Sequence, residues 1–494
     1  MGERRSGILL HVTSLPGSEG MGTLGEHAFR FVDFLAETGQ KIWQILPLGP
    51  VGFGNSPYQC YSAFAGNCCL IDLERLCKSG LLSRNDLNAI PGFGKTKVEF
   101  EKVIAWKMTL LQKAFHKFKG NGYPDFHNEY QNFLKEHNWW LQDFALFMAA
   151  LEHFEGEQWA SWPDGLKFRT PVGIHKFQTQ LEDKINFWKF VQFQFFRQWF
   201  ALKKYANAKG IHIWGDMPLY VSTNSADVWS NTDIFLLEKN LSPRQVGGVP
   251  PDYFSSDGQL WGNPVFDWKR LKERDFDWWM ARLHFNLNMF DEIRIDHFRG
   301  LESFWSVPAG EKTAKNGEWV QAKGFEVLAK LKVQIGHLPL IAEDLGIITA
   351  EVEKLRKEFG LPGMKVLQFA FLTDETNEYL PHNYTRNFVA YTGTHDNNTT
   401  LGWLKLLKGD EKKRVHLYLE GKGRKALKNA VELIWGSTAN TAIAPFQDIL
   451  ELGGESRMNI PGTATGNWGW RFQWKQIKSR QKEFLKTITK KYNR

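Results

Sequence analysis

Cysteine is scarce in this sequence, because the 494 residues include only four. They are Cys60, Cys68, Cys69 and Cys77, and all four fall in one segment. Their spacing lacks the C-x₂₋₄-C pairs that zinc ribbons use. We therefore expect free thiols in a cytoplasmic protein, with no metal site.

Long apolar runs are also missing. The longest stretches, such as 7–10 and 442–446, are far shorter than the ~20 residues that a membrane helix needs. The chain has no internal repeat, no low-complexity tract and no Ser/Pro-rich linker. With 43% hydrophobic and 23% charged residues it can bury one large core or two ordinary ones. We expect a soluble, globular protein with no membrane partner.

Acidic residues are fewer than basic ones, which gives a formal net charge of +8. Basic residues are concentrated in 475–494, and such a cluster can attract a polyanion. The same segment carries Phe484, Leu485 and Ile488 at helical spacing, which is typical of an amphipathic helix with a solvated basic face. We prefer the second interpretation and expect no nucleic-acid partner.

Eight short apolar or β-branched runs, separated by helical patterns, are typical of parallel strands. They are 7–12, 41–46, 211–217, 292–296, 339–343, 364–369, 388–392 and 441–445. One intervening helical pattern has Thr349 as its N-cap and Gly360 just beyond its end. Eight such units predict an α/β fold, a closed (β/α)₈ barrel of the TIM type.

Two connections are too long for ordinary β/α units. Residues 65–205, between the second and third runs, carry apolar residues at helical spacing, so we expect a helical subdomain packed on the barrel. Residues 230–290, between the third and fourth runs, are expected to form an active-site loop and a helical insertion. The predicted organisation is a single catalytic barrel over 1–494 with large, mostly helical insertions.

Acidic residues recur at the ends of the predicted strands, where barrel enzymes carry their functional groups. The third run ends near Asp216, and the fourth carries Arg294 and Asp296 two residues apart, on one face. The fifth run ends in Glu343, and the seventh leads to Asp396. One interpretation is a structural network of ion pairs, but carboxylates at the ends of the fourth, fifth and seventh runs together favour a catalytic site.

Two carboxyl groups in different environments are what glycoside cleavage needs. One must be ionised to attack or to stabilise positive charge, and the other must be protonated to donate. Arg294 is expected to hold its neighbour Asp296 ionised.

Two other signals carry less weight. Residues 20–25 match G-x-G-x-x-G, but the first glycine comes several residues after the strand, and the next strand ends without an acid for a ribose. We interpret this segment as a loop leading into a helix at Glu26, and we expect no cofactor. Most of the 21 tryptophans are expected in the core, whereas Trp261 lies in a Gly/Pro loop and has a functional interpretation.

The strand ends carry a family resemblance. The segments 294–297 (RIDH), 343–346 (EDLG) and 394–397 (THDN), in that order and on those strands, resemble the conserved regions of the α-amylase superfamily. Other segments resemble the 4-α-glucanotransferases known as amylomaltase or disproportionating enzyme; they are LPLGP (46–50), SPYQ (56–59), SAFAGN (62–67), GVPPDYF (248–254) and WGNP (261–264). The likeness runs from about residue 7 to residue 474.

This resemblance implies a role for each candidate site residue. Asp296 is the implied nucleophile, Glu343 the general acid/base, and Asp396 the residue that binds and distorts the sugar at the cleavage point. The implied substrate-binding residues are Tyr58, Asp216, Arg294, His395, Asp252, Tyr253, Trp261 and His297. Among them, the loops with Asp252, Tyr253 and Trp261 are expected to cover the acceptor side.

The implied activity is retaining transfer of a segment of a 1,4-α-D-glucan to the 4-hydroxyl of an acceptor glucan or glucose, through a covalent glycosyl-aspartate. The partners would be maltooligosaccharides, starch or glycogen. A hydrolase of the same superfamily would share every catalytic residue. A non-catalytic glucan-binding scaffold would lack a catalytic acid, and none is missing. One departure from the family pattern, Cys68-Cys69 in place of proline and an aromatic residue, concerns local loop packing.

Overall fold

The computed structural model describes residues 3–88, 90–121, 124–251 and 255–494. The strands are β1 (Arg5–Leu9), β2 (Ile42–Gln44), β3 (His212–Pro218), β4 (Gln245–Val249), β5 (Gln259–Pro264), β6 (Glu292–Asp296), β7 (Ser303–Pro308), β8 (Glu318–Gln321), β9 (Leu340–Ala342), β10 (Gly363–Val366), β11 (Phe388–Tyr391) and β12 (Thr441–Pro445).

The α-helices surround and extend this framework. They are α1 (Glu26–Glu37), α2 (Leu73–Lys78), α3 (Phe100–Asn121), α4 (Pro124–His153), α5 (Asp164–Lys167), α6 (Pro171–Gln180), α7 (Glu182–Ala208), α8 (Ala226–Ser230), α9 (Trp268–Glu273), α10 (Asp277–Met289), α11 (Gly324–Ile335), α12 (Ala350–Glu358), α13 (Thr400–Leu406), α14 (Gly409–Tyr418), α15 (Gly423–Gly436), α16 (Phe446–Ile449) and α17 (Ser479–Lys491). Among the described residues, no helix has the length and apolar character needed to cross a membrane.

Eight strands form one parallel sheet in the order β10-β11-β12-β1-β2-β3-β6-β9. Its two edges meet, since the Ala342 amide at the end of β9 donates to the Pro362 carbonyl beside β10 at 2.9 Å. All five residues of β12 are buried, as expected for a parallel strand covered on both faces. The predicted (β/α)₈ barrel is confirmed, and each of the eight predicted runs contains an observed barrel strand or overlaps with one.

The long connection between β2 and β3 contains α2 to α7. Helix α4 packs mainly against α7, with Phe144 edge-on to Trp188 at a centroid distance of 6.1 Å. Trp140 and Phe147 of α4 are also buried. Aromatic side chains bury a large apolar area, so this connection has a hydrophobic core continuous with that of the barrel.

A second sheet lies outside the barrel. It is antiparallel, in the order β5-β4-β7-β8, and belongs to the connections that flank β6. The sequence did not predict it, because Gly247-Gly248 and Pro250-Pro251 obscure the strand pattern. Its central pairing, between β4 and β7, joins residues about sixty positions apart.

The glycines of the discounted G-x-G-x-x-G segment have a packing role. Helix α1 begins at Glu26, as predicted. A Cβ added to Gly25 would lie 1.7 Å from Asp72 Oδ2, an oxygen that also accepts a hydrogen bond from the Thr23 hydroxyl at 2.7 Å. The absence of a side chain therefore lets the loop approach Asp72 closely.

A buried ion pair fastens this loop to α3. Lys107 Nζ lies 2.6 Å from Glu19 Oε2, and the two side chains are 0% and 7% exposed. The ammonium also donates to the Cys69 and Ile71 carbonyls. Glu19 in turn accepts from the Leu73 amide at 3.0 Å.

Replacing Lys107 by methionine should destabilise the protein by about 3–5 kcal/mol, because it leaves the Glu19 carboxylate buried without its cation. The double variant Glu19→Gln/Lys107→Met should be more stable than the single variant. Thermal unfolding of both variants measures this. As a control, Lys413→Met in the exposed Lys413–Asp410 pair should change stability by less than about 1 kcal/mol. A parent-like unfolding temperature for Lys107→Met would contradict the expectation.

Candidate active site

Three neighbouring barrel strands bring polar side chains to one rim. In the register of β3 and β6, Asp216 lies beside Arg294. In the register of β6 and β9, Ile295 lies beside Ala342, so the residues that follow, Asp296 and Glu343, are also neighbours. The candidate carboxylates therefore meet at the carboxyl ends of the strands, where barrel enzymes have their active sites.

A single guanidinium contacts two of these carboxylates. Arg294 Nη1 lies 2.8 Å from Asp216 Oδ2 and 3.0 Å from Asp296 Oδ1. Burial acts to lower the pKa of Arg294, but the facing carboxylates, Asp216 foremost, raise it well above its ordinary value. Arg294 is thus a permanent cation at the base of the site.

Asp216 is the inner of the two carboxylates. Its side chain is fully buried, whereas that of Asp296 is 30% exposed. Burial raises the pKa of Asp216, and the Arg294 charge opposes that shift. The Tyr58 hydroxyl donates to Asp216 Oδ2 at 2.8 Å and lies 2.9 Å from His395 Nε2. Asp216 therefore anchors a hydrogen-bonded chain, and Asp296 keeps an accessible oxygen.

Glu343 has a different environment. Burial, opposed by the Arg294 charge and reinforced by Asp296, raises the pKa of its carboxyl group to about 7. Two backbone amides hold its oxygens: His297 N donates to Oε2 at 2.8 Å, and Leu345 N donates to Oε1 at 3.0 Å. Near neutral pH this group is therefore populated in both its protonated and ionised forms.

The segment after β11 supplies the opposite wall. His395 stacks on the Tyr58 ring with centroids 5.2 Å apart and planes 14° from parallel. Asp396 has a 45% exposed side chain, with Oδ2 3.4 Å from His395 Nε2. Its Oδ1 accepts a hydrogen bond of 2.6 Å from Asn459 Nδ2. Asp396 is thus fixed on one side and open on the other.

His297 and Trp261 lie together on another side. His297 has a left-handed φ of +55°, which turns the chain sharply after Asp296. Burial lowers the pKa of its ring to about 4. Its ring meets that of Trp261, on β5, edge to face at a centroid distance of 4.8 Å. Two other candidates, Asp252 and Tyr253, lie outside the described residues.

Three residues make contacts in this site that the sequence did not predict. Asn459 binds Asp396, Arg457 donates to the Asp396 carbonyl at 2.5 Å, and the ring of Trp468 packs against that of His395 at 6.0 Å. All three lie in the loop region after β12, about sixty to seventy residues beyond Asp396. No strand end or recognisable motif marks them. The one local signal is the Trp-Gly-Trp sequence at 468–470.

The described residues contain no group of three or more His, Cys, Asp or Glu side chains arranged to hold a metal ion. The positive charge within the carboxylate cluster is that of Arg294. The site therefore combines an accessible carboxylate beside a cation, a buried carboxyl group that titrates near neutrality, and exposed hydrogen-bonding groups around them. This combination suits the cleavage of a glycosidic bond.

Comparisons with known proteins agree with this chemistry. Residues 10–477 match the family model of glycoside hydrolase family 77, described as 4-alpha-glucanotransferase. A 4-alpha-glucanotransferase of Synechocystis sp. is 48% identical, over 100% of this chain and 98% of its own. One of Aquifex aeolicus is 46% identical, over 99% of each. Among solved structures, an amylomaltase from Streptococcus agalactiae in complex with acarbose superposes with a TM-score of 0.97 at 41% identity, covering 100% of both chains.

Both the extent and the identity of these matches exceed what a shared barrel alone would give, because they span the insertions as well as the strands. The chain belongs to the 4-alpha-glucanotransferase family.

Proposed function

We propose that this chain transfers segments of 1,4-α-D-glucans to the 4-hydroxyl of an acceptor glucan or glucose by two displacements, with retention of the anomeric configuration. Asp296 is the nucleophile and Glu343 the general acid/base. The observation that carries the proposal is the contrast between these two groups: Asp296 contacts the Arg294 cation, whereas burial raises the pKa of Glu343 to about 7.

The first displacement forms a covalent intermediate. The ionised oxygen of Asp296 attacks the anomeric carbon, the bond from that carbon to the leaving O4 breaks, and Glu343 donates its proton to O4. In the second displacement, the Glu343 carboxylate removes the proton from the acceptor 4-hydroxyl, whose oxygen attacks the anomeric carbon. The bond to Asp296 then breaks, and both catalytic groups return to their starting states.

The surrounding residues bind the sugar that is transferred. Asp396 has a free face at the rim, and in this proposal it binds the sugar hydroxyls and favours a distorted ring. His395 offers hydrogen bonds and the Tyr58 ring offers an apolar surface, while the buried Asp216 acts through the Tyr58 hydroxyl, which it holds beside His395 Nε2. Arg294 fixes the orientation of the nucleophile.

In this proposal the loops that carry Asp252, Tyr253 and Trp261 cover the acceptor side, and His297 binds the substrate beside Trp261; Asp252 and Tyr253 lie outside the described residues. The edge-to-face contact between Trp261 and His297 supports a common wall. The exposed part of Trp261 can stack on a glucose ring, because the axial hydrogens of a sugar face pack well on an aromatic surface.

Incubation with maltotriose separates transfer from hydrolysis. A transferase should produce glucose together with a ladder of longer maltooligosaccharides, because a sugar hydroxyl intercepts the intermediate. A hydrolase of the same superfamily would produce only shorter sugars. Separation of the products by length is the measurement, and the absence of any product longer than maltotriose would contradict transfer.

Replacing Arg294 by lysine should lower kcat about a hundredfold with folding intact, because lysine keeps the charge but loses the planar group that reaches both carboxylates. The comparison is steady-state kinetics with maltotriose, with thermal unfolding as the check on folding. Arg270→Lys, in an exposed pair with Asp233, is the matched control and should retain parent activity. A fully active Arg294→Lys variant would remove the positioning role.

The covalent step can be trapped. Asp296→Asn lacks the attacking charge and should consume no donor. Glu343→Gln lacks the proton donor and the later base, so α-glucosyl fluoride, whose leaving group needs no proton, should load Asp296 and accumulate as an adduct. Intact-protein mass spectrometry followed by peptide mapping measures this. An adduct on a different residue would reassign the nucleophile. If the protein were a glucan-binding scaffold, the unsubstituted parent protein would also turn over no donor.

A further inference from the structure

The turn after the proposed nucleophile contains a second buried arginine. Strand β6 ends at Asp296, and the short 3₁₀ turn 298–301 follows. Arg299 lies in this turn, and only 6% of its surface is exposed. Among the described residues, its Nε is buried without a hydrogen-bond partner. Burial lowers its pKa, so the position costs free energy that must be offset.

Two contacts hold the Arg299 side chain. Its Nη1 donates to the carbonyl of Ile347, in the loop that follows β9. Its guanidinium lies over the ring of Trp319, on β8, at 3.7 Å from the centroid. The Arg299 guanidinium thus stacks on the ring of Trp319, while one of its edges donates to the loop after β9. This geometry suits a planar guanidinium and not an ammonium group.

The two segments that Arg299 joins are the ones that hold Glu343. His297, two residues before Arg299, donates its amide to Glu343 Oε2. Leu345, two residues before Ile347, donates its amide to Oε1. The Phe298 amide also donates to the Glu343 carbonyl, at 3.2 Å. A displacement of either segment would change the hydrogen bonds of this carboxyl group.

We propose that Arg299 is a positioning residue, which keeps the His297 and Leu345 amides on the Glu343 carboxyl group by joining the loops after β6 and β9. The inference rests on the proposed role of Glu343 and deepens it. Arg299 does not touch the reacting atoms. It acts through the two amides.

The consequence is a predicted pH dependence. A general acid works when protonated, so kcat/KM should fall as the pH rises through the pKa of Glu343, which is about 7. Hydrogen bonds from the two amides favour the ionised form and lower that pKa. When these bonds lengthen, the pKa of Glu343 rises. The basic limb of the pH profile, in which kcat/KM falls, then moves to higher pH.

Other titratable groups also face Glu343. They are Arg294 and Asp296, on β6, and Tyr379, after β10. The Glu343 charge contributes to raising the pKa of Tyr379. The charges of Glu302 and of Glu351, on α12, act to raise the pKa of Arg299. A substitution at Arg299 leaves all of these residues in place, so a shift of the basic limb reports on the amides or on the lost charge.

Two substitutions separate these causes. Arg299→Gln removes both the positive charge and the guanidinium that stacks on Trp319. Arg299→Lys keeps the charge and removes only the stacked guanidinium. In both variants the basic limb of kcat/KM with maltotriose should move up by about half to one pH unit. Their kcat should fall about tenfold because the acid is displaced. Trp319→Ala, which removes only the stacking surface, should give a smaller shift in the same direction and provides a second route if an Arg299 variant folds poorly.

Two controls complete the experiment. Arg270→Gln should keep the parent pH profile. In the parent, α-glucosyl fluoride should abolish the basic limb, because its leaving group needs no proton. A parent limb that persists with this donor would overturn the role of Glu343, and the inference with it. If the limb belongs to Glu343 but stays in place in both Arg299 variants, or moves only in Arg299→Gln, the positioning role alone is overturned.

Discussion

The contact of one guanidinium with two carboxylates is the interaction on which the rest of the site depends. Arg294 lies in the barrel interior between Asp216 and Asp296. Without that cation, a fully buried carboxylate would have no compensating charge, and breaking such a pair typically costs 3–5 kcal/mol. Through Asp216 the same cation orients the Tyr58 hydroxyl and, beyond it, the His395 ring. One buried charge therefore organises groups from three parts of the chain.

Arg294 also distinguishes Asp296 from Glu343. Asp296 contacts it directly and keeps partial exposure, whereas Glu343 lies at the end of the next strand, where burial prevails over the charge of Arg294. Two chemically similar side chains thus acquire different electrostatic environments from their places on adjacent strands. In the proposed mechanism this asymmetry assigns attack to one and proton transfer to the other.

The connections outside the barrel complete the site. The second sheet brings Trp261 to the ring of His297 and Trp319 to the guanidinium of Arg299. The loop region after β12 brings Asn459 to the carboxylate of Asp396. Barrel strands fix where the carboxylates are, and these additions fix what surrounds them. This is the usual relation between a barrel and its loops.

The sequence by itself determined the barrel and the rim that carries its acids. The eight strand patterns are local, and an acid at the end of a parallel strand must lie at one edge of the sheet, so Asp216, Asp296 and Glu343 could be placed before any contact was known. The tertiary structure alone decided that Arg294 also contacts Asp216, that Asn459 binds Asp396, and that the β4–β7 pairing forms a second sheet. It also decided the raised pKa of Glu343. Each of these depends on burial or on contacts between segments far apart in the chain, and local sequence patterns carry no information about either.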